Sequence, residues 1–427
     1  MIKDLTFPHG LQLLSRYQAG GDAAKARLRQ IFDAALAGQH DADFATPAPA
    51  DRVHVSGSVH MLALGILHDL YGIESASYYK TDPWRYARAN LITSRLLGIE
   101  KYYSTWALYA FTCEALGQKM MYPDRFPPGS DPDEPLINSK NWRALTTPDF
   151  NSGVPRIIND FTRVTEHLTG AAPLLQISAP YSLAADIYGQ EPLLADVVHN
   201  PDQVNALLDH LADQVLVPWI EHFLAEFPNG WIELSDASGS PFFIGPQNCK
   251  TMAIRAMQRM TAGKPWAERL FDCNYRGDFV TQAKKKNRRA RRGTVEAVPE
   301  IDLHELTELK HSVCPKFIMR LEADQVPVEF YRDQAIARGV PLTLGIGSGE
   351  VDGNSVGDIA LAKIAIRGTA QTYVEAIKAV CKSVPLPADN NVMQPWPSHI
   401  YFEDISAQSQ FEMIEVIVRT ALENGTI

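Results

Sequence analysis

Residues 173–238 read PLLQISAPYSLAADIYGQEPLLADVVHNPDQVNALLDHLADQVLVPWIEHFLAEFPNGWIELSDAS. A short apolar run, Pro173 to Ser178, is followed by a helical pattern and then by a second apolar run, Gly230 to Leu234. Asn200 stands as N-cap before Pro201 at the first helical position, and Val204, Leu207, Leu208, Leu211 and Val215 recur at helical spacing. Pro218 should kink or end that helix. Strand, helix, strand is a βα unit, and repeated along a chain it calls for a parallel sheet.

The alternation continues outward in both directions. Candidate strands are Tyr102 to Ala107, Lys119 to Tyr122, Pro173 to Ser178, Gly230 to Leu234, Glu268 to Asn274, Lys316 to Leu321, Pro341 to Ile346 and Ser398 to Phe402. A second clear helix runs from about Asp358 through Ala360, Ile364 and Ile366 towards Ala379. Residues 10–100 look mainly helical, with Leu11, Leu13, Leu14 and Tyr17, then Ala24 to Leu36, and Asp41 to Asp51 as the loop beyond them. The expected architecture is α/β, a TIM-type (β/α)8 barrel over 96–427 with an N-terminal helical cap over 1–95. A doubly wound open sheet would use the same alternation, which periodicity does not separate from a barrel.

Composition narrows the classes. The chain has 427 residues, 40 basic and 50 acidic, a formal net charge of −10, 45% hydrophobic and 21% charged residues. A generally basic nucleic-acid binder is excluded, and no apolar run approaches the roughly 18 residues of a spanning helix. Met1 to Gly10 show no secretory pattern, and five cysteines without a CxxC pair fit a reducing compartment. A cytoplasmic protein is expected.

Three features carry chemistry. Lys284, Lys285, Lys286, Arg288, Arg289, Arg291 and Arg292 form a basic run about ten residues after the strand ending at Asn274, on the side of a barrel where catalytic loops lie. Its plain alternative is a solvated loop, and no aromatic interrupts it to stack a base. Gly345, Gly347 and Gly349 in GIGSGE fail the dinucleotide pattern, so they read as a strand-to-loop junction. Polar residues gather at strand ends: Asp236 and Ser238, then Asp272, Asn274, Arg276 and Asp278, then Arg320, Glu322 and Asp324. Carboxylates beside guanidinium groups can hold an anion and move a proton, or can simply pair and cap helices around the rim. His311 and Cys314 precede a strand and so belong to the opposite end. Cys381 sits with Ile377 and Val380 on a helix, as a packed thiol.

Read in order, CEALG (Cys113–Gly117), SAPYSLAADIYG (Ser178–Gly189), Asn200-Pro201, SDAS (Ser235–Ser238), the LGI of Leu344 to Ile346 and SVGDI (Ser355–Ile359) resemble the uroporphyrinogen decarboxylase superfamily over roughly 90–425. That superfamily also holds methylcobamide:coenzyme M methyltransferases and corrinoid-linked demethylation proteins. The resemblance implies a (β/α)8 barrel with its site at the C-terminal mouth of the strands. The decarboxylase branch carries an RQAGR segment that residues 1–100 lack. Its expected tyrosine falls on Asp186 and its expected serine on Ala237, while a histidine near the last strand is kept at His399. Glu114 of CEALG looks like the methyltransferase branch.

In that branch zinc activates a thiol through an H-x-C motif and a later cysteine. The matching stretch here is Phe271-Asp272-Cys273, without the histidine, and the later cysteine's place lies near His399. Cys273 and His399 are the metal ligands this implies, with Asp236 or Glu322 completing the set. Strand alternation puts Cys273 on the opposite face from Asp272 and Asn274, so either the thiol or the polar pair faces the interior.

The resulting expectation is a methyl transfer between a small methylated substrate or thiol and a methylcorrinoid on a partner protein. Asp236, Asp272, Asn274, Arg276, Glu322 and His399 would line the site. Lys284, Arg288, Arg289, Arg291 and Arg292 would bind the corrinoid's phosphate-bearing tail or the carrier, Zn2+ would be the metal, and a homodimer is allowed. The competing expectations are decarboxylation of uroporphyrinogen or another polycarboxylate, without a cofactor, and a non-catalytic ligand-binding barrel.

Overall fold

The computed structural model describes residues 5–45, 52–99, 101–102, 108–272, 302–321, 326–353, 357–384 and 398–427. Among them eight strands pair in parallel: β1 (His54–Gly57), β2 (Lys101–Tyr102), β3 (Leu174–Ser178), β4 (Trp231–Ser235), β5 (Leu270–Asp272), β6 (Ile318–Arg320), β7 (Leu342–Ile346) and β8 (His399–Phe402). The hydrogen-bonded orders are β2-β1-β8-β7-β6 and β3-β4-β5. Each recorded neighbour is next in sequence except β1 with β8, and that pairing joins the first strand to the last. An open doubly wound sheet has no such bond, so the fold is a (β/α)8 barrel.

Register sorts the two faces of the sheet. His54, His399 and Thr343 lie side by side, as do Ser56, Tyr401 and Gly345 one step up. Gln176 pairs with Glu233 and Ser178 with Ser235. The residues between them, Val55, Ile400, Leu344, Leu175, Ile177, Ile232 and Leu234, are apolar and buried. Arg320 shares that second face, and its guanidinium reaches the hydroxyl of Tyr373 in the helix Ile359–Ser383. The apolar face therefore meets the helices, and the polar set lines the interior of the ring.

Five expectations change. β1 lies inside the stretch 1–95 read as a helical cap, so the barrel starts at His54; its HVSG sequence is too short to show an alternation. Lys119 to Tyr122 is not a barrel strand: Met120–Met121 pairs antiparallel with Gly129–Ser130 in a hairpin beyond β2. Asn200 does not cap with its side chain, which donates instead to Asp196 Oδ1 at 2.8 Å. Arg320 faces a helix, not the mouth. The helix Pro201–Leu211 continues through a π-helical turn, Ala212–Leu216, into Val217–Glu226, so the chain passes Pro218 without breaking. The proline's missing N–H falls where the wider turn has already broken the α pattern.

The remaining elements follow the sequence closely. His9–Gln18 and Asp22–Leu36 are the first helices, and Asp358 caps Ile359–Ser383 by accepting from the amides of Ala360 and Leu361. Among the described residues no helix is long and apolar enough to cross a membrane.

Gly345 is required by crowding within the ring. A Cβ there would overlap Leu321 Cδ2 and stand 3.1 Å from the Arg320 carbonyl oxygen and 3.3 Å from Glu403 Oε1. Gly345→Ala is expected to destabilise the barrel by about 1–3 kcal/mol, the usual cost of overpacking, read as a lower urea midpoint at unchanged slope.

Candidate active site

The C-terminal ends of β3 and β4 build the first half of the site. β3 ends at Ser178, and Ala179-Pro180 turns the chain into the helix Pro180–Tyr188 with proline in its first turn. No side chain of its own caps this helix. The cap comes from the neighbouring strand: Asp236, one residue past β4, accepts the Ser182 amide at 3.1 Å and the Ser182 hydroxyl at 2.9 Å, both on Oδ1. Ser182 Oγ in turn accepts from the Ser238 amide at 3.1 Å. A carboxylate at a helix N-terminus satisfies an otherwise orphaned amide and meets the positive end of the helix dipole.

Asp236 is fully buried and its Oδ2 has no hydrogen-bond partner. Burial raises its pKa to about 6, against the downward pull of the Ser182 hydroxyl, the Ser182 amide and the Gly239 amide. Desolvation wins because only one of the two oxygens is well served. Gly239 must be glycine: a Cβ would collide with Oδ2 and lie 2.7 Å from Oδ1. The hydroxyl of buried Tyr181 is also unpartnered, and its pKa is raised first by burial and then by the charge of Asp236. The hydroxyls of Ser178 and Ser240 are in the same condition. Unpaired buried polar atoms grouped at one strand end are what a bound ligand would satisfy.

The second half lies beyond β8, β1 and β2. Ser58 donates to Asp404 Oδ1 at 3.5 Å, and His60 Nδ1 lies 2.6 Å from the Tyr79 hydroxyl. Burial lowers the His60 pKa to about 3, so the ring is neutral. Tyr79 is pushed well up by burial, then by Asp404 and Tyr122. Glu114 of CEALG accepts from Lys80 at 2.7 Å and from the Tyr122 hydroxyl, while the Lys80 ammonium sits 4.3 Å above the Tyr122 ring. Its neighbour Cys113 is buried, with a thiol raised by burial first and by Asp186 second. Asp186 itself is raised by burial to about 7, and its Oδ2 is unpartnered.

Of the residues predicted to line the site, Asp236 is at the mouth. Asp272 ends β5 in register with Glu233, which lies on the interior face. His399 opens β8 instead of ending it, in register with His54, and Glu403 is the acidic residue that follows that strand. Four residues separate the two, about 13 Å along a strand. Asn274, Arg276, Glu322, Cys273, Lys284, Arg288, Arg289, Arg291 and Arg292 lie outside the described residues. Among the described residues no three His, Cys, Asp or Glu side chains gather as a metal site. Sequence reading missed Gln176 and Glu233, joined by a 2.5 Å hydrogen bond, and the Asp186 carboxyl. The first two were visible as lone polar residues inside the apolar runs LLQIS and WIELS.

Comparison with known proteins agrees with this geometry. Residues 73–263 match the family described as uroporphyrinogen decarboxylase (URO-D). The match covers less than half of the chain and is a likeness to that family. The matched stretch contains CEALG, SAPYSLAADIYG, Asn200-Pro201 and SDAS, and so both halves of the cap between Ser182 and Asp236. A methyltransferase from Methanosarcina mazei has a similar solved structure, with TM-score 0.59 and 14% identity over 92% of this chain and 97% of its own. That likeness establishes the shared barrel. No curated protein matches the sequence.

The buried carboxyl makes the mouth pH-dependent. Asp236 has a folded pKa above its unfolded value of 3.8, so its contribution to stability is complete below about pH 4 and is lost as pH rises through about 6. Asp236→Asn keeps the acceptor for Ser182 and cannot ionise. Between pH 5 and 8 the wild type should lose about 1 kcal/mol relative to this variant in urea titrations; parallel pH profiles would show that the native carboxyl is not desolvated.

Proposed function

We propose that this URO-D-like barrel is an enzyme of the methyl-transfer type, taking a methyl group from a small methylated substrate to a corrinoid held by a partner protein, or from that corrinoid to a thiol. The observation that carries the reading is the set of acidic and phenolic groups at the mouth. Asp236 and Tyr181 stand beyond β4 and β3, Glu403 and Asp404 follow β8, Tyr79 feels the charge of Asp404, and the described cation beside them, Lys80, is engaged by Glu114. A substrate with several carboxylates would meet like charges in a poorly solvated site, where repulsion is strongest. A neutral or cationic methyl donor would not. The similar barrel of the Methanosarcina mazei methyltransferase supports the same choice.

The chain's own part is to hold the donor and supply a proton. As the carbon–heteroatom bond of the donor breaks, its electron pair stays on the heteroatom, which takes the proton from the Asp236 carboxyl at Oδ2, leaving the carboxylate clamped by Ser182. A carboxyl with a pKa near 6 is well matched to this general-acid role. The corrinoid supplies the nucleophile for the methyl carbon. His399 does not fit a zinc site at the mouth, because it opens β8, about 13 Å from Glu403 along the strand. The matched family's own description favours the second reading, in which the same proton would go to a ring carbon of a decarboxylating polycarboxylate.

The test is spectroscopic. Purified protein is mixed with reduced cobalamin and a panel of methylated amines, ethers and thioethers, and with methylcobalamin and thiols, while the corrinoid absorbance is followed. A methylation or demethylation spectrum in one pairing is expected, and Asp236→Asn should lower its rate by about 10²–10⁴-fold with substrate affinity changed only a few-fold. No spectral change with any pairing, together with carbon dioxide release from uroporphyrinogen, would transfer the reading to decarboxylation.

A further inference from the structure

A cleft of about 490 Å³ opens on the outer wall of the barrel, where the first helix (His9–Gln18) crosses the helices Ile359–Ser383 and Phe411–Asn424. It lies among helices, apart from the strand ends that form the mouth, and nothing in the proposed reaction uses it. Its volume falls within the roughly 300–1,000 Å³ of small-molecule sites. Four cations line it, Arg16, Lys363, Arg367 and Arg419, against two carboxylates, Glu412 and Glu415. Lys363 pairs with Glu412 and Arg419 with Glu415, so both carboxylates are neutralised within the wall. Arg419 is also held over the Phe7 ring at 5.3 Å.

Arg16 and Arg367 remain. Both are exposed, and neither side chain has a hydrogen-bond or ion-pair partner among the described residues. On a chain of net charge −10 this is a local excess of two positive charges facing one concavity. Two guanidinium groups opening on one space repel each other until an anion enters, and their planar forks match phosphate oxygens. A phosphate monoester brings close to two charges on one group at neutral pH, whereas a single carboxylate brings one.

We propose that this cleft binds a phosphate-bearing small molecule, its phosphate held between Arg16 and Arg367. Gln12, on the same wall of the cleft, is placed to hydrogen-bond the remainder of the ligand. Occupancy would tie the first helix to the two barrel helices.

Isothermal titration at constant ionic strength tests this with phenyl phosphate, inorganic phosphate and acetate. Saturable one-to-one binding of phenyl phosphate is expected, with affinity at least tenfold lower in Arg16→Gln and in Arg367→Gln and unchanged in Lys264→Gln, in the turn after the helix Arg255–Thr261. Acetate should bind at least tenfold more weakly than phenyl phosphate. No saturable binding, equal affinity in the arginine variants and the wild type, or acetate binding as tightly as phenyl phosphate would overturn the proposal. The readout does not involve turnover, so it is independent of the methyl-transfer reading.

Discussion

Cross-strand register is the constraint on which this barrel rests. Parallel pairing places Gln176 beside Glu233, and His54 beside His399, which in turn stands beside Thr343, so that one face of the sheet is polar and the other apolar. A slip of one residue in any strand would drive a glutamate or histidine into the helix layer and bring leucines inside. The interior polar residues are therefore not decoration. They are tolerated because they meet one another, as Gln176 and Glu233 do, and because the apolar face is buried against helices along its whole length.

The site inherits its geometry from that register. Since β3 and β4 end level, at Ser178 and Ser235, the residue after β4 falls opposite the first turn of the helix after β3. Asp236 can then cap a helix that belongs to a different βα unit, and one carboxylate oxygen is fixed while the other is left bare. Neutral His60 across the mouth is the electrostatic counterpart of this arrangement: both groups are perturbed by burial, one towards the neutral base and the other towards the neutral acid. The mouth is thus lined by groups that can exchange protons.

Much of this was legible in the sequence, for reasons that differ from element to element. β3, β4, β7 and β8 are four- or five-residue apolar runs with turn residues on either side, and their ends were placed to within a residue or so. β1 was not, because its four residues sit between a loop and a long helix and only its partner β8, some 340 positions away in sequence, shows that it is a strand. The Lys119 to Tyr122 run has strand character and does form a strand, but local composition does not say which sheet it joins. Asp236 was found from its place after a strand. Asp186 was noted only as a departure from an expected tyrosine; its raised pKa comes from burial, a tertiary property.

The π-helical turn at Ala212–Leu216 sits in the middle of a long buried stripe. Leu207, Leu211, Val215, Trp219, Phe223 and Phe227 are all buried, and they recur at every fourth position. An α-helix advances about 100° per residue, so a four-residue step overshoots a full turn by about 40° and a stripe of this kind would wind steadily off the core. The wider turn takes up part of that excess in the middle of the run and resets the rotational phase before Trp219. In this segment the spacing of large side chains, counted in fours, and not the proline, is what dictates where the helix must loosen its coil.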